Sequence, residues 1–168
     1  MAGETPLALA RRLALAKARA VAKQAKDAVV IGADQVLDFN GLALGKPGNL
    51  KNARQQLALL SGQTVIFHSA LAVVTPNGTT IRVCPCEATF RLLSSAQIDY
   101  YLATEEPFDT AGSAKAEGLG IALLTSLKSD DPTAIIGLPL IELTRLLSQA
   151  GLDPLNDPIK HSSKNGFS

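Results

Sequence analysis

The residues with the clearest capacity for chemistry are Asp34, Gln35 and Lys46, which lie within one short segment of the chain. A carboxylate can take a proton from water, and an ammonium group can hold negative charge. Asp34 follows the apolar run Ala28–Ile31, which is typical of a short strand buried on both faces. A charge at the end of such a strand is costly unless it has a partner or a function, so this segment is the first candidate site.

The element that must position these residues is a β-hairpin. Asn40-Gly41 between apolar flanks predicts a two-residue type I′ turn. The turn fixes a register with three facing pairs: Phe39 with Leu42, Gln35 with Lys46, and Asp34 with Pro47. Asp34 and Lys46 would not share a face in an ideal ladder, but Pro47 cannot donate to it, so pairing should break there and free Lys46. Two interpretations stay open, a structural ion pair that closes the hairpin or a functional site.

Composition predicts an ordinary globular chain. The 168 residues are 46% hydrophobic and 18% charged, which favours a single domain over residues 1–152. The polar, proline-broken segment 153–168 is predicted to be a disordered tail. A net charge of +1 and 4% aromatic residues argue against binding to a nucleic-acid polymer. No apolar run has the length of a membrane span and no secretory signal is recognisable, so we expect no membrane partner and a cytoplasmic location.

Cysteine and histidine contribute little to the predicted site. Cys84 and Cys86 form a C-P-C, which places both on one face of a strand, but two thiols do not complete a zinc site. We therefore interpret them as small buried residues. His68 lies in an apolar strand pattern and His161 in the polar tail, and we expect neither to be catalytic.

Helix signals divide the rest of the chain. Thr5-Pro6 opens a helix, and the spacing of its apolar residues predicts an inner stripe of Leu9, Leu13, Ala16 and Ala20. Its basic residues, Lys17 among them, form a face that is either solvated or able to meet phosphates. The other predicted elements are helices at 50–60, 96–103 and 140–149 and strands at 64–74, 79–92 and 133–136. Ser94-Ser95 opens the helix at 96–103.

Two further segments could contribute to a site. Asp109–Gly120 is small, glycine-punctuated and carries Lys115 and Glu117, which is typical of a surface loop or of an active-site wall. Gly137-Leu138-Pro139 leads into the last helix, and its N-terminus should offer free backbone N–H groups to an anion.

Five motifs, in this order, resemble the Maf-like nucleotide pyrophosphatases. They are I-G-A-D-Q-V at 31–36, L-G-K-P at 44–47, N-A-R-x-Q-L-x-x-L-S-G at 52–62, A-G-S-A-K-A-E-G-L-G-I at 111–121 and I-I-G-L-P-L at 135–140. The A-G-S-x-K-x-E-G form resembles the branch that acts on 7-methyl-GTP rather than the branch that acts on dTTP and UTP. The resemblance covers about Thr5 to Gly151.

The resemblance implies a fold, a reaction and a set of roles. The fold is α/β, with a mixed, elongated sheet flanked by helices and two lobes around a cleft, often in a homodimer. The reaction is hydrolysis of a nucleoside triphosphate to the monophosphate and pyrophosphate with a divalent metal, Mg or Mn. Asp34 matches the proton acceptor or metal ligand, Lys46 the lysine that faces the phosphates, and Gln35 and Glu117 the positions tied to base selection. Ser113 and Lys115 are candidates for phosphate or base contacts.

The chain also departs from the family pattern. Members begin with a strand, an S-x-S-x-x-R-R loop that cradles phosphates and a V-D-E acid, and nothing here corresponds to them. We therefore expect an N-terminally truncated form with weak or no activity. This leaves two alternatives to an active enzyme, a non-catalytic nucleotide-binding or regulatory protein and an oligomerisation module. Ala114 also stands where this branch often has an aromatic residue, which would thin one wall of the base pocket.

Overall fold

The computed structural model describes residues 3–156, so His161 and most of the predicted disordered tail lie outside the described residues. Helices and strands alternate irregularly along the chain. The helices are α1 (Pro6–Ala22), α2 (Leu50–Leu60), α3 (Ser95–Glu105) and α4 (Leu140–Gln149). The strands are β1 (Val30–Phe39), β2 (Leu42–Leu44), β3 (Thr64–Thr75), β4 (Gly78–Phe90) and β5 (Leu124–Lys128). Short 3₁₀ segments cover Ala111–Ser113, Leu119–Leu123 and Pro132–Ile136.

The five strands form one sheet in the order β2-β1-β3-β4-β5. The α/β class is confirmed, but every strand pair in residues 3–156 is antiparallel, whereas the resemblance implied a mixed sheet. Short turns join β1 to β2 and β3 to β4, and turns of that length permit only antiparallel pairing.

The predicted Asn40-Gly41 turn is present, and Phe39 faces Leu42 as expected. The ladder between β1 and β2 ends at the pair Leu37 and Leu44. The predicted pairing of Gln35 with Lys46 and of Asp34 with Pro47 is therefore wrong. Gln35 and Asp34 instead face Ser69 and Ala70 of the central strand β3. Asp34 therefore lies in the middle of β1 rather than at its end.

Helix α1 covers one face of the sheet through small residues. Its buried side chains are Pro6, Ala10, Ala14 and Ala18, so the predicted stripe of Leu9, Leu13, Ala16 and Ala20 is wrong. The reason is Gly32 on β1: a Cβ there would overlap the carbonyl oxygen of Ala14 and lie 2.6 Å from the nitrogen of Ala18. Alanines spaced four apart let the helix backbone approach the strand, a contact that larger side chains would prevent.

The opposite face carries the larger core. Here α2 and α3 pack against the sheet through fully buried residues, among them Leu37, Leu57, Phe67 and Tyr101. Helix α4 closes the same face further along the sheet through Leu143 and Leu146, which contact Leu71 and Val73. Ile31 on this face of β1 is 43% exposed, so the expectation that the strand is buried on both faces is wrong at that position.

The remaining differences from prediction are local. Pro132–Ile136 is a 3₁₀ segment rather than a strand, because Pro132 starts it and the Asp131 side chain caps it by accepting from the Thr133 amide. Strand β5 at Leu124–Lys128 has no counterpart among the predicted elements. Helices α2 and α4 have the predicted bounds, and α3 has the predicted Ser94 cap. Among residues 3–156, no helix combines the length and the apolar character needed to cross a bilayer.

Candidate functional site

A cavity of about 400 Å³ lies beside β1, beyond the point where β2 ends. Its lining comes from five parts of the chain: α1, β1, the chain after β2, the 109–117 segment and the 135–138 segment. The lining residues include Lys17, Asp34, Gln35, Lys46, Asp109, Thr110, Ala114, Glu117 and Ile135. At this level β1 has only β3 as a strand neighbour among the described residues. Because β1 is an edge here, side chains from both of its faces reach the same cavity.

Asp34 is oriented by an ion pair with α1. Its Oδ1 lies 2.5 Å from the Nζ of Lys17, which also donates to the carbonyl oxygen of Ala33 at 3.1 Å. The Lys17 side chain is 59% exposed, whereas that of Asp34 is 14% exposed. Exposed ion pairs contribute little to stability, so the pair mainly directs the carboxylate. The second carboxylate oxygen of Asp34 has no hydrogen-bond partner within residues 3–156.

Gln35 is held on the other face of β1. Its Nε2 lies 2.9 Å from Ser69 Oγ, 2.9 Å from the carbonyl oxygen of Ala134 and 3.0 Å from that of Ile135. These contacts tie the 3₁₀ segment Pro132–Ile136 to the sheet and form one wall of the cavity.

Lys46 and Glu117 complete the group of predicted residues that the structure brings together. Both are exposed, both line the cavity, and neither forms an ion pair within the described part of the chain. Lys46 comes from the chain just after β2 and Glu117 from the glycine-rich segment, which forms part of the wall of this cavity. The cavity thus has an ammonium group and a carboxylate that are available to a ligand.

Ser113 and Lys115 point to other partners. The Ser113 hydroxyl is fully buried and donates to Gln56 Oε1 at 3.0 Å, and the Lys115 Nζ donates to the carbonyl oxygen of Glu105 at 3.0 Å. The Lys115 backbone N–H donates to the hydroxyl of Tyr101. Burial raises the pKa of Tyr101 to about 12, although this hydrogen bond from Lys115 acts in the other direction. Ser113 and Lys115 therefore support the wall from its outer side and do not line the cavity.

The predicted anion site at the N-terminus of α4 is already filled by the chain. Asp131 Oδ2 accepts from the amides of Ile141 and Glu142, and the Thr133 hydroxyl oxygen accepts from the amide of Leu140. Burial alone would raise the pKa of Asp131, but hydrogen bonds from Thr133, Glu142 and Ile141 outweigh it and hold that pKa below its usual range. The expectation of free N–H groups is therefore wrong, because the capping carboxylate lies ten residues upstream of Ile141.

Asp34 is the residue with the best position for a metal ion. No cluster of three or more His, Cys, Asp or Glu that could bind a metal occurs in residues 3–156. Magnesium, however, is commonly bound by one or two carboxylates together with water and substrate phosphates, and Asp34 lines the cavity with one oxygen that has no hydrogen-bond partner within residues 3–156. Two lysines and three carboxylates line the cavity, so its side chains are net negative. A polyphosphate would therefore need additional positive charge, which a divalent cation can supply.

The two cysteines and His68 have structural surroundings. Cys86 is fully buried in the core of α2 and α3, as predicted, and Cys84 is partly buried beside it. Burial raises the pKa of both thiols. His68 Nε2 lies 3.1 Å from Asp38 Oδ2, on the face of the sheet that α1 partly covers. None of these three residues lines the cavity.

Lys17 is the site residue that the sequence did not reveal. The sequence places it on a basic face that is either solvated or able to meet phosphates, and its contact with Asp34 joins residues that are 17 positions apart. No local motif indicates this pairing, since it depends on the depth at which α1 packs on Gly32. Asp109 and Thr110 also line the cavity, and only their place in the glycine-rich segment could have suggested it.

The chain is similar to known proteins over most of its length. It is 57% identical over 157 residues to the 7-methyl-GTP pyrophosphatase of Bordetella avium (strain 197N). That alignment covers 94% of this chain and 80% of the relative. It is 52% identical over 161 residues to the protein of the same name from Polaromonas sp. (strain JS666 / ATCC BAA-500), covering 95% and 74%. It is also 52% identical over 149 residues to the protein of that name from Xanthomonas axonopodis pv. citri (strain 306), in an alignment that covers 89% of this chain and 78% of the relative.

The profile of the family described as Maf-like protein matches residues 2–150. This range includes every residue of the cavity lining and all four helices. The family expected from the five motifs is thereby confirmed. The chain belongs to the Maf-like protein family.

Proposed function

We propose that this protein hydrolyses a nucleoside triphosphate, with 7-methyl-GTP as the preferred substrate, to the monophosphate and pyrophosphate. The observation that carries the proposal is the convergence of Lys17, Asp34, Gln35, Lys46 and Glu117 on one cavity of about 400 Å³. Relatives that are 52–57% identical carry the name 7-methyl-GTP pyrophosphatase, which supports the same assignment.

In the proposed reaction, Asp34 takes a proton from the attacking water. Water is a weak nucleophile until a positioned base removes its proton, and a carboxylate within hydrogen-bond reach serves this purpose. The water oxygen forms a bond to phosphorus, the α,β-phosphoanhydride bond breaks, and the leaving oxygen departs with pyrophosphate. Lys17 directs the carboxylate through Oδ1, so its other oxygen is the one that faces the water.

Lys46 binds the phosphates in this proposal. Its ammonium group is exposed and has no ion-pair partner within residues 3–156, so binding a phosphate would not require breaking an existing pair. We propose Mg or Mn as the divalent cofactor, with Asp34 as its protein ligand and the phosphates and water as the others. When bound, such an ion polarises phosphoryl oxygens and offsets the negative charge of the triphosphate.

Gln35 and Glu117 select the base. A carboxylate accepts from the N1–H and 2-amino groups of guanine, and it also favours the positive charge of a 7-methylguanine ring. Glu117 is exposed to the cavity, with no ion-pair partner in the described part of the chain. We also propose a cytoplasmic location, a homodimer, and no nucleic-acid polymer or membrane among the partners.

The decisive experiment measures pyrophosphate release from 7-methyl-GTP, GTP, UTP, dTTP and ATP with Mg or Mn. Wild type is compared with Asp34→Asn, which has the same shape but cannot accept the proton. Removal of a general base typically costs 10²–10⁴-fold in rate, so a loss of at least about a hundredfold is expected. Asp109→Asn is the matched control, since it makes the same change on another carboxylate of the lining.

Two outcomes contradict the proposal. Equal rates for wild type and Asp34→Asn would exclude Asp34 as the base, and equal losses in both variants would indicate a general charge effect. The second candidate function is nucleotide binding without hydrolysis, in which Lys46 and Glu117 bind the ligand and Asp34 takes no proton from water. Calorimetry that shows nucleotide binding, together with no pyrophosphate release under any metal condition, would support that candidate.

A further inference from the structure

Ser69 is a fully buried polar residue directly across the sheet from Gln35. Its hydroxyl oxygen lies 2.5 Å from the carbonyl oxygen of Ala134 and 2.9 Å from the Nε2 of Gln35. It is one of only three buried polar or charged residues among residues 3–156, and its side chain does not line the cavity. A buried hydroxyl is costly unless its hydrogen bonds are made, so the arrangement around Ser69 is specific.

The donor and acceptor inventory fixes the direction of each bond. A serine hydroxyl has one hydrogen, and the carbonyl oxygen of Ala134 can only accept, so the hydroxyl of Ser69 must donate to it. The hydroxyl oxygen then accepts from the amide nitrogen of Gln35, whose second hydrogen is shared between the carbonyl oxygens of Ala134 and Ile135. An inverted amide would place its oxygen against two carbonyl oxygens, which no hydrogen could bridge.

The consequence concerns the other end of the Gln35 amide. Oε1 has no hydrogen-bond donor within residues 3–156, and it is not among the buried atoms that lack a partner, so it is accessible. Gln35 lines the cavity together with Glu117. At the proposed base-selecting positions the cavity therefore presents acceptors, the amide oxygen and the carboxylate, and not the amide hydrogens.

We propose that Ser69 is a positioning residue that determines base specificity by locking the amide of Gln35 with its oxygen toward the ligand. This inference rests on the proposed function, since it assigns to Gln35 a base as its ligand. An outward oxygen favours a base edge with N–H donors, such as that of guanine. It opposes adenine, whose N1 is an acceptor at the corresponding position of the edge. Without the hydroxyl of Ser69, the Gln35 amide and the carbonyl oxygen of Ala134 each lose a partner, so the amide is held less firmly and the discrimination weakens.

The first test measures kcat/KM for 7-methyl-GTP and for ATP in wild type and in Ser69→Ala. We expect the ratio of the two values to fall about tenfold, the size of one net hydrogen bond, with the change mainly in KM. Ser69→Thr retains the hydroxyl and should restore the ratio. Ser69→Cys offers only a weak donor and provides a second loss variant if Ser69→Ala does not fold. An unchanged ratio in the loss variants that fold would overturn the proposal.

The second test does not depend on turnover. NMR hydrogen exchange of the Gln35 side-chain NH₂, assigned with Gln35→Glu, should be slow in wild type and in Ser69→Thr and at least about tenfold faster in Ser69→Ala. Calorimetry measures the Kd of 7-methyl-GMP and of AMP, and the ratio of these two Kd values reports the discrimination from binding alone. Exchange that is fast in wild type, or a binding ratio that Ser69→Ala leaves unchanged, would overturn the role of Ser69. A wild type that hydrolyses no nucleotide but retains slow exchange and the binding ratio would overturn only the proposed reaction.

Discussion

Asp34 and Gln35 are neighbours on β1, yet they lie on opposite faces of the sheet and are held in different ways. Asp34 is on the face that α1 covers with alanines, and its protein partner is the exposed side chain of Lys17. Gln35 is on the face with the large core, and its amide nitrogen is clamped by Ser69 and two carbonyl groups. The Asp34 carboxylate keeps one oxygen without a hydrogen-bond partner within residues 3–156, whereas the Gln35 amide is fixed through its nitrogen.

The difference follows from how each face is packed. On the α1 face the backbone of the helix lies against Gly32, so the position of Lys17 is set by main-chain contact. On the other face side chains such as Leu57 and Phe67 fill the space between the elements. A smaller side chain should therefore destabilise the face with the large core, whereas a larger side chain should destabilise the face that α1 covers.

The largest effect is expected on the face with the large side chains. Leu57→Ala removes a fully buried side chain from the core of α2, so it loses transfer free energy and leaves a cavity. We expect a loss of about 3 kcal/mol in the free energy of unfolding, measured by urea denaturation. Leu59→Ala, at a 47% exposed position of the same helix, is the matched control and should cost far less. Similar losses in both variants would contradict the packing described for this face.

On the α1 face the addition of a single carbon should be damaging. Gly32→Ala forces α1 away from β1 because the new Cβ would meet the backbone of Ala14 and Ala18. Overpacking of this kind costs about 1–3 kcal/mol, and we expect about 2 kcal/mol by the same denaturation assay. In Gly45→Ala the new Cβ meets nothing within 4 Å, so that variant should remain near wild-type stability. Equal stability of the two variants would remove the basis for the close helix–strand contact.

The smallest effect concerns the cap of α4 and depends on pH. Asp131→Asn keeps one acceptor oxygen but loses the charge that receives the amides of Ile141 and Glu142, which should cost about 1 kcal/mol at pH 7. The pKa of Asp131 is lowered in the folded protein, so its stabilising effect is present above the unfolded pKa near 3.8 and is lost as the pH falls below it. The difference in Tm between wild type and variant should therefore shrink toward pH 3. The control is Asp130→Asn, at a neighbouring exposed carboxylate with no hydrogen bond to residues 3–156. A difference in Tm that grows in acid would contradict the expected sign.

Local signals predicted those parts of the fold that depend on neighbouring residues. The Asn40-Gly41 turn, the bounds of α2 and the Ser94 cap each depend on residues within about four positions of one another. The convergence of Asp34, Gln35, Lys46 and Glu117 was also anticipated, in part from the hairpin and in part from the family motifs.

Contacts between distant segments were not predictable in this way. Lys17 reaches Asp34, and Asp131 reaches the start of α4, only after the elements have packed. The inner stripe of α1 was misjudged because leucine was expected to be buried ahead of alanine, whereas Gly32 selects the smallest side chains. The 133–136 segment has the composition of a strand, but a proline and an upstream capping aspartate give it a 3₁₀ turn.

Asp38 uses its two carboxylate oxygens on two different elements, and this has a consequence for Lys46. One oxygen accepts from the Gly41 amide at the tip of the hairpin, and the other lies 3.1 Å from His68 on the central strand. The short arm formed by β2 is thereby anchored to the middle of the sheet, two residues before Lys46. The backbone that leads to Lys46 is therefore held to the sheet, whereas the exposed Lys46 ammonium is carried on a flexible four-carbon stem. In the proposed reaction, this combination would let one lysine contact phosphates at more than one position in the cavity.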